Sequence, residues 1–359
     1  MKPVEIAKNV WWLLNRSESL LELNVYLLSY HSAKRGWDHL ILDPGPESLL
    51  EPLKAAIQPV VNGGLEKITG ILINHQDPDV CPNAAAIQRL NPKVQVVASE
   101  DTWRLIRFFG LSEKRFRAVQ SYKSGRVKMA GGQQLEFVPS PFCHFRGAIM
   151  YYDVASRILF SGDLFGGLSF SQDLYATEES WEGIKAFHQL YMPSKDAVQL
   201  AVSTIRNLSP APLIIAPQHG SIITGDLVPE FLYRMYNLDV GLDLLKHREL
   251  SDNYLGLANQ ILAELQHENM IVSAKEVLDS WDSDGSFSKI FDLDGERIKN
   301  FKTDPINALK TLIRLLRDKV RSGDEEQVNL ILIKALNDRN IPVYDILTPE
   351  GEVLPDYFE

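Results

Sequence analysis

The first two thirds of the chain consist of short apolar runs that end in turn residues, with longer helix-patterned stretches between them. Runs of this length, bounded by Gly, Pro, Asn or Asp, are typical of buried strands. Seven runs predict strands: 24–30, 39–46, 68–75, 94–99, 135–141, 148–163 and 212–220. Four stretches between them predict helices: 47–61, 81–90, 101–109 and 194–208. Strands interleaved with helices and hairpins indicate a layered α/β domain.

The pattern changes beyond residue 221, where apolar residues recur at spacings of three and four. This helical period runs through 228–247, 254–269 and 304–320, and it predicts amphipathic helices. We therefore predict two domains, an α/β domain over 1–249 and a mostly α-helical C-terminal domain over 250–359. The second domain carries no catalytic motif, and we expect it to act as a dimerisation or signalling element.

Composition and charge exclude several classes of function. The 359 residues, 45% of them hydrophobic, can bury a full core without disulfides. A net charge of −10 argues against binding to nucleic acid, which relies on Lys and Arg. The N-terminus lacks a signal-peptide pattern, no apolar run reaches the ~18 residues of a membrane span, and the cysteines are only Cys81 and Cys143. We expect a cytoplasmic homodimer without nucleic-acid or membrane partners.

Candidate chemistry begins in the stretch ILINHQDPDV, residues 71–80, where polar ligand-type residues follow an apolar strand. Alternation by two puts His75, Asp77 and Asp79 on one side of an extended segment, where they can converge on a metal ion. The alternative is an ordinary acidic turn that caps the helix predicted to begin near Cys81.

Three further ligand-type residues stand in turns that follow apolar strands. His144 occurs in SPFCHFRG, Asp163 in ILFSGD and His219 in IIAPQHG. Ligand sites in α/β folds gather at the carboxyl ends of strands, so a shared position for these residues is expected. With the first three residues they make a set of three imidazoles and three carboxylates, which predicts a metal centre.

The order of these motifs resembles that of the metallo-β-lactamase superfamily, and the local sequences are similar to those of its flavodiiron branch. The segments PFCHFRGAIMYY, LFSGDLFG, YMPSKDAV and APQHG carry the resemblance, which extends over residues 1–245. It implies a metallo-β-lactamase-like αββα sandwich with a dinuclear centre. The implied ligands are His75, Asp77 and His144 for one metal, Asp79 and His219 for the other, and Asp163 as the bridge between them.

Two positions depart from the flavodiiron pattern: Asp77 stands in place of a glutamate and Val80 in place of a histidine ligand. Carboxylate-rich donor sets suit iron or manganese better than structural zinc, so we expect two iron ions, with zinc or manganese as the alternative. Without an imidazole at position 80 the second metal keeps three ligands, which implies weak binding, water, or an open position for a small ligand. Cys81 is either a soft donor there or a buried filler, and we expect Cys143 in the core.

The chain has no Ser-, Thr- and Gly-rich phosphate loop after residue 221, so no FMN site is evident. The resemblance is therefore to stand-alone oxygen-binding diiron proteins. It implies binding of O2 or NO by a sensor, or by a flavodiiron-like oxidoreductase that depends on an external electron donor or signalling partner. Tyr191 is the candidate catalytic residue, because a phenol beside the metals can donate a hydrogen bond or a proton.

Other interpretations stay open at this stage. Tyr151, Phe165 and Phe170 lie near the motifs, where they either line an apolar gas pocket or belong to the core. A second hypothesis for the whole chain is a metal-dependent hydrolase with zinc or manganese, in which a bridging hydroxide is the nucleophile. A third is an interaction protein with a degenerate site, an interpretation that Val80 favours.

Overall fold

The structure is a computed structural model that describes residues 2–14, 19–34, 36–129, 131–169, 173–245, 251–281, 287–319, 324–343 and 346–347. The chain forms two compact units. The first comprises Met1–Ile184 and Tyr191–Leu238, and the second comprises Lys185–Leu190 and Asp239–Glu359. The domain boundary between residues 249 and 250 stays a prediction.

The first unit contains a seven-stranded sheet whose strands lie side by side in chain order. The strands are β1 (Val4–Ala7), β2 (Val10–Trp12), β3 (Tyr26–Ser32), β4 (Gly36–Leu42), β5 (Gly70–Leu72), β6 (Gln95–Ala98) and β7 (Phe116–Ala118). Neighbours from β1 to β4 are antiparallel, whereas β4 to β7 run parallel. Because parallel strands end at the same edge of a sheet, the segments that follow β4 and β5 start close together.

The second sheet of this unit has six strands in the order β13-β12-β11-β10-β9-β8. They are β8 (Arg126–Lys128), β9 (Gln134–Pro139), β10 (Ile149–Asp153), β11 (Ile158–Gly162), β12 (Ile214–Pro217) and β13 (Ile223–Thr224). All neighbours are antiparallel except β11 and β12. Every residue of β10 and β11 is buried, as their apolar sequences predict.

The two sheets share one apolar core. Leu27, Ile41 and Ile71 of the first sheet belong to the same buried cluster as Tyr151 and Phe160 of the second. Among the described residues, five α-helices lie wholly in this unit: α1 (Leu50–Ile57), α2 (Asn83–Leu90), α3 (Glu100–Ile106), α5 (Lys195–Arg206) and α6 (Leu227–Asn237). A further helix, α4 (Ser180–Tyr191), is divided between the two units. The predicted metallo-β-lactamase-like α/β sandwich is thereby confirmed.

The second unit is mostly helical, as the three- and four-residue spacing predicts. Its elements are α7 (Leu242–Leu245), α8 (Ser251–His267), α9 (Ala274–Trp281), α10 (Phe287–Ile290), β14 (Phe291–Asp294), β15 (Arg297–Phe301), α11 (Pro305–Lys319) and α12 (Glu325–Asp338). The hairpin of β14 and β15 interrupts the helices, a feature that the helical period did not predict. Among the described helices, none combines the length and apolar character that crossing a membrane requires.

Candidate metal centre

The predicted ligand residues come from four loops, each of which follows a strand. His75, Asp77 and Asp79 stand in the loop after β5, and His144 stands in the loop after β9. Asp163 follows β11 directly, and His219 is the second residue after β12. These loops extend from the carboxyl ends of strands in both sheets, which is where the sequence pattern places them.

The first group of ligand atoms forms around Asp163 Oδ2. This oxygen lies 3.4 Å from His75 Nε2 and 3.1 Å from His144 Nε2. Asp77 Oδ2 faces the same two nitrogens, at 3.7 Å from His75 and 3.2 Å from His144. His75, Asp77 and His144 each offer one ligand atom within 4.8 Å of the others, a spacing that a single metal ion can span.

The second group forms around the other oxygen of the same carboxylate. His219 Nε2 lies 3.6 Å from Asp163 Oδ1 and 3.5 Å from Asp79 Oδ2. Asp163 therefore presents one oxygen to each group, the arrangement of a bridging ligand. Its side chain is 4% exposed, and Oδ1 has no hydrogen-bond partner in the structure. A buried carboxylate oxygen without a hydrogen bond is costly unless it binds a cation, so the residues fit a metal pair.

The charges of the centre are strongly coupled. Burial alone raises the pKa of Asp163, but the facing histidines outweigh burial and bring that pKa to about 2. Burial lowers the pKa of His144, yet hydrogen bonds to Asp163 and Asp77 bring that pKa to about 10. Asp77 and Asp163 thus hold their negative charge and attract protons onto His75 and His144 when no other cation is present. A metal ion satisfies the same demand.

Two of the histidines are oriented by hydrogen bonds at the nitrogen that faces away from the centre. His219 Nδ1 lies 3.0 Å from the backbone oxygen of Glu22, which can only accept, so Nδ1 carries the proton and Nε2 points to Asp163 and Asp79. Outer hydrogen bonds of this kind hold ligand histidines in the tautomer that binds metal.

His75 is held in the same way by its neighbour in the chain. Its Nδ1 lies 3.0 Å from Asn74 Oδ1, while the amide nitrogen of Asn74 donates to the carbonyl of Ile149 at 2.6 Å. The second bond determines which way the Asn74 amide faces, so its oxygen accepts from His75. Gly162 leaves room for this amide, because a Cβ at position 162 would overlap the Asn74 side chain.

Asp43 is a supporting residue that the sequence analysis missed. It follows β4 in the stretch HLILDPGP, it is buried, and its Oδ1 accepts a hydrogen bond from the Asn74 backbone N–H at 2.8 Å. Its φ of 44° lies in the left-handed region, where non-glycine residues are strained, and burial raises its pKa to about 7. The sequence contained a signal for Asp43, because an acidic residue follows β4 directly, just as Asp163 follows β11.

Val80 and Cys81 occupy the core beside the second group. Val80 is fully buried, its N–H donates to the Asp77 carbonyl at 3.0 Å, and its own carbonyl accepts from Gly45. The Cys81 thiol donates to the Gln76 and Asp77 carbonyls, and burial raises its pKa. The geometry is that of a buried thiol filler, one of the two alternatives left open above.

Cys143 precedes His144 and is buried, with its thiol 3.6 Å from the Ala197 carbonyl. Burial raises the pKa of Cys143 to about 12, so the thiol stays neutral. Its position in the core agrees with the expectation from the sequence.

The aromatic residues near the motifs differ in their surroundings. The Tyr191 ring lies 5.9 Å from the His144 ring, between centroids, beside the first group. Tyr151 is fully buried, and its hydroxyl lies 2.9 Å from the Ile73 carbonyl oxygen, just before His75. Phe165 is fully buried two residues after Asp163, and Phe170 lies outside the described residues. The Tyr191 ring thus packs against a predicted ligand residue, as its choice as the candidate catalytic residue requires.

Fold and site together define a metallo-β-lactamase-like protein of the diiron branch. The model of the ODP family beta lactamases matches residues 21–220, more than half of the chain. The chain belongs to this family.

Solved structures of the same family resemble the chain. One titled as the peroxy diiron species of the chemotaxis sensor ODP is 28% identical, with a TM-score of 0.56, and the match covers 69% of this chain and 99% of that one. The apo state of the chemotaxis sensor ODP from T. denticola is 27% identical, with a TM-score of 0.57, covering 68% and 97%.

Among curated proteins, the diflavin flavoprotein A 1 of Synechocystis sp. is 31% identical over 101 residues, which is 28% of this chain and 17% of that protein. The chain thus spans a small part of that relative's length.

Proposed function

We propose that the protein binds O2 or NO at a non-haem diiron centre, as a sensor or as an oxidoreductase supplied by an external electron donor. The observation that carries the proposal is the position of Asp163, whose two oxygens face two separate groups of ligand atoms. The related structures support the proposal, since one is of the peroxy diiron species and the other is of the apo state of the chemotaxis sensor ODP. When bound, a pair of reduced iron ions supplies electrons and open coordination positions for a diatomic gas.

The residues divide the work as follows in this proposal. His75, Asp77 and His144 hold one iron, Asp79 and His219 hold the other, and Asp163 bridges them. Each of the two oriented histidines presents Nε2 while its Nδ1 is hydrogen-bonded outside the centre, so little reorganisation is needed when metal binds.

The asymmetry of the two groups favours gas binding over hydrolysis. The first group has two imidazoles and a carboxylate besides the bridge, whereas the second has His219 and Asp79. In this proposal the second metal, which receives no imidazole from position 80, would keep an open position for a small molecule, and Tyr191, whose ring packs beside His144 of the first group, would be the hydrogen-bond donor at the centre.

The proposal also covers the cellular compartment and the partners of the protein. We infer a cytoplasmic protein, since both cysteines are free and buried thiols that need no oxidising compartment. The C-terminal unit, which bears helices and a hairpin, serves as the dimerisation or signalling element.

Metal analysis of anaerobically purified protein tests the proposal. We expect about two irons per chain, with visible absorption that changes when O2 or NO is added to the reduced protein. Asp163→Asn should lose iron from both groups, because the neutral amide cannot compensate two cations. The control Asp196→Asn, at an exposed position in the first turn of α5, should keep the iron content of the wild type.

Other outcomes identify the competing hypotheses. Zinc or manganese together with turnover of an ester or phosphodiester indicates a hydrolase. Protein that stays free of metal when iron is supplied under reducing conditions indicates an interaction protein with a degenerate site. Either result contradicts the diiron proposal.

A further inference from the structure

A basic surface lies on one edge of the sandwich. Residues 104–128 contain eight Lys or Arg and one acidic residue, Glu113, in a chain whose net charge is −10. The eight basic residues are Arg104, Arg107, Lys114, Arg115, Arg117, Lys123, Arg126 and Lys128. All are exposed except Arg115, which is partly buried. We call residues 104–128 the basic edge.

The topology explains why these residues share one surface. β7 is the last strand of the seven-stranded sheet and β8 is the last strand of the six-stranded sheet, and a short link joins them. The basic edge therefore follows these two terminal strands and the link between them. Charges that are spread along 25 residues of sequence are collected there.

Protection of edge strands accounts for part of this charge only. Lys and Arg on an unpaired strand discourage pairing with another chain, and this explains Arg117 on β7 and the two basic residues of β8. The others stand on α3, in the turns 107–109 and 113–115, and in the link between the strands. Within the described part of the chain, Arg107, Lys114 and Lys123 form no ion pair. Binding of a protein partner explains this uncompensated positive charge better than protection of edge strands does.

A pocket opens in this edge between the two sheets. Its volume is about 270 Å³, and its walls include Val119, Tyr122 and Phe137, with Pro141 and Arg146 on the side of the His144 loop. The apolar walls suit one aromatic or aliphatic side chain. Interfaces are typically built around such an anchor, with charged residues at the rim.

The acidic residue in the pocket is neutralised by its neighbours. Asp101 lies 3.4 Å from Arg146 and 3.5 Å from Arg104, measured between carboxylate oxygens and guanidinium nitrogens. The pocket rim therefore presents positive charge. Within the basic edge, the Phe108 side chain is 77% exposed, with the Arg107 guanidinium 5.1 Å from its ring centroid, so an apolar contact is available beside this charge.

We propose that the basic edge binds an acidic segment of a protein partner, which inserts one apolar side chain into the pocket between the sheets. A concave pocket with apolar walls favours a protein segment over an anionic lipid surface, because a lipid surface has no side chain to fill it. The proposal stands independently of the metal centre. Because Pro141 and Arg146 flank His144 in the chain, the bound segment contacts the loop that carries this histidine.

Binding of a synthetic peptide to the full chain tests the proposal. The probe is a short fluorescein-labelled peptide rich in Glu and Asp with one central Phe, and binding is followed by anisotropy. We expect saturable binding that weakens as salt is added and that weakens further when the Phe is replaced by Ser.

Matched charge reversals locate the binding surface. Lys114→Glu/Lys123→Glu should weaken binding of the peptide roughly tenfold, because two charges of the basic edge change sign. The control Lys2→Glu/Lys8→Glu makes the same change of net charge at exposed positions just before and just after β1, at the opposite edge of the sheet, and should bind as the wild type does. Urea unfolding of all three proteins checks that each is folded.

Four results overturn the proposal. The first three are no saturable binding by the wild type, equal weakening in both double variants, and an affinity that does not depend on the central Phe. A fourth is capture of the wild type, but not of Lys114→Glu/Lys123→Glu, by vesicles of phosphatidylserine and phosphatidylcholine without peptide binding. That result assigns the surface to a membrane instead.

Discussion

Gly162 illustrates how residues outside the ligand set constrain it. It precedes the bridging Asp163, its φ is +62°, and a side chain at this position would overlap the Asn74 amide that orients His75. Two separate costs therefore oppose any substitution, namely the left-handed backbone and the loss of space. The glycine in the motif LFSGD is thus explained by Asn74, which lies in the loop after β5.

We expect Gly162→Ala to reduce the free energy of unfolding by about 3 kcal/mol and to lower the iron content, because Asn74 must move and His75 with it. The control is Gly225→Ala, where φ is +62° but nothing lies within 4 Å of the added Cβ. It should lose only about 1 kcal/mol through backbone strain and keep its metal. Urea titration and metal analysis measure both variants, and equal losses in the two would contradict the steric argument.

The second prediction for a single residue concerns Val80. Val80→His places an imidazole beside Asp79 and should raise the occupancy of the second metal when iron is limiting. Since Val80 is fully buried, the metal-free variant should lose about 2 kcal/mol of stability, and iron should restore part of it.

Val80→Asn is the matched control for that variant, because it adds a buried polar side chain that is a poor ligand. Equal iron content in Val80→His and Val80→Asn means that position 80 does not face the second metal. Iron content per chain and unfolding with and without iron are the two measurements.

At the scale of elements, buried polar contacts join the two sheets. The Tyr30 hydroxyl on β3 donates to Asp153 Oδ1 on β10 at 3.2 Å, and Asp153 Oδ2 accepts from the Ser156 N–H at 3.1 Å. Burial, and then the charge of Asp153, raises the pKa of Tyr30 well above 10. The hydroxyl therefore stays protonated in the folded protein at a pH where an unfolded chain releases its proton.

The stability that Tyr30 contributes is complete below pH 10, the ordinary pKa of tyrosine, and is lost as the pH rises toward its raised value in the folded protein. Tyr30→Phe should cost about 1 to 2 kcal/mol at pH 7, through the lost hydrogen bond to a buried carboxylate. Above pH 10 its stability should fall less steeply than that of the wild type.

The comparison at neutral pH is Tyr233→Phe, which changes a tyrosine that is 62% exposed and should leave the free energy of unfolding unchanged at pH 7. Urea titrations at several pH values measure the slopes. Parallel curves for Tyr30→Phe and the wild type above pH 10 would show that the hydroxyl is ionised as readily in the folded state.

At the scale of the molecule, the loops after β5, β9, β11 and β12 supply the metal centre, while β7 and the neighbouring turns form the basic edge. The pocket beside the basic edge is lined in part by the segment from Pro139 to Ile149, and the same segment contains His144. Under the two proposals, binding at the pocket and a change at the metal centre would both act on this loop. The loop would give the proposed sensor a short physical route between its gas ligand and its partner.

The sequence allowed the α/β fold, the helical C-terminal region and the six ligand-type residues to be named. It did not reveal Asp43 as a support for His75, although that residue also ends a strand. It also did not reveal the basic edge, because its charges are separated by apolar residues and the net charge of the chain is negative. The hairpin of β14 and β15 was missed because the helical period of its neighbours dominates that region.

What the sequence determined by itself is local in origin. Alternating and helical spacings of apolar residues predict which face of each element is buried. The residue types at strand ends indicate which side chains can act as metal ligands. Only the tertiary structure decided that Asp163 turns one oxygen to each group, that Asn74 and Glu22 orient the histidines, and that two sheet edges meet in a basic surface. Those features depend on loops that are distant in the chain and close in space, and no local pattern encodes their distances.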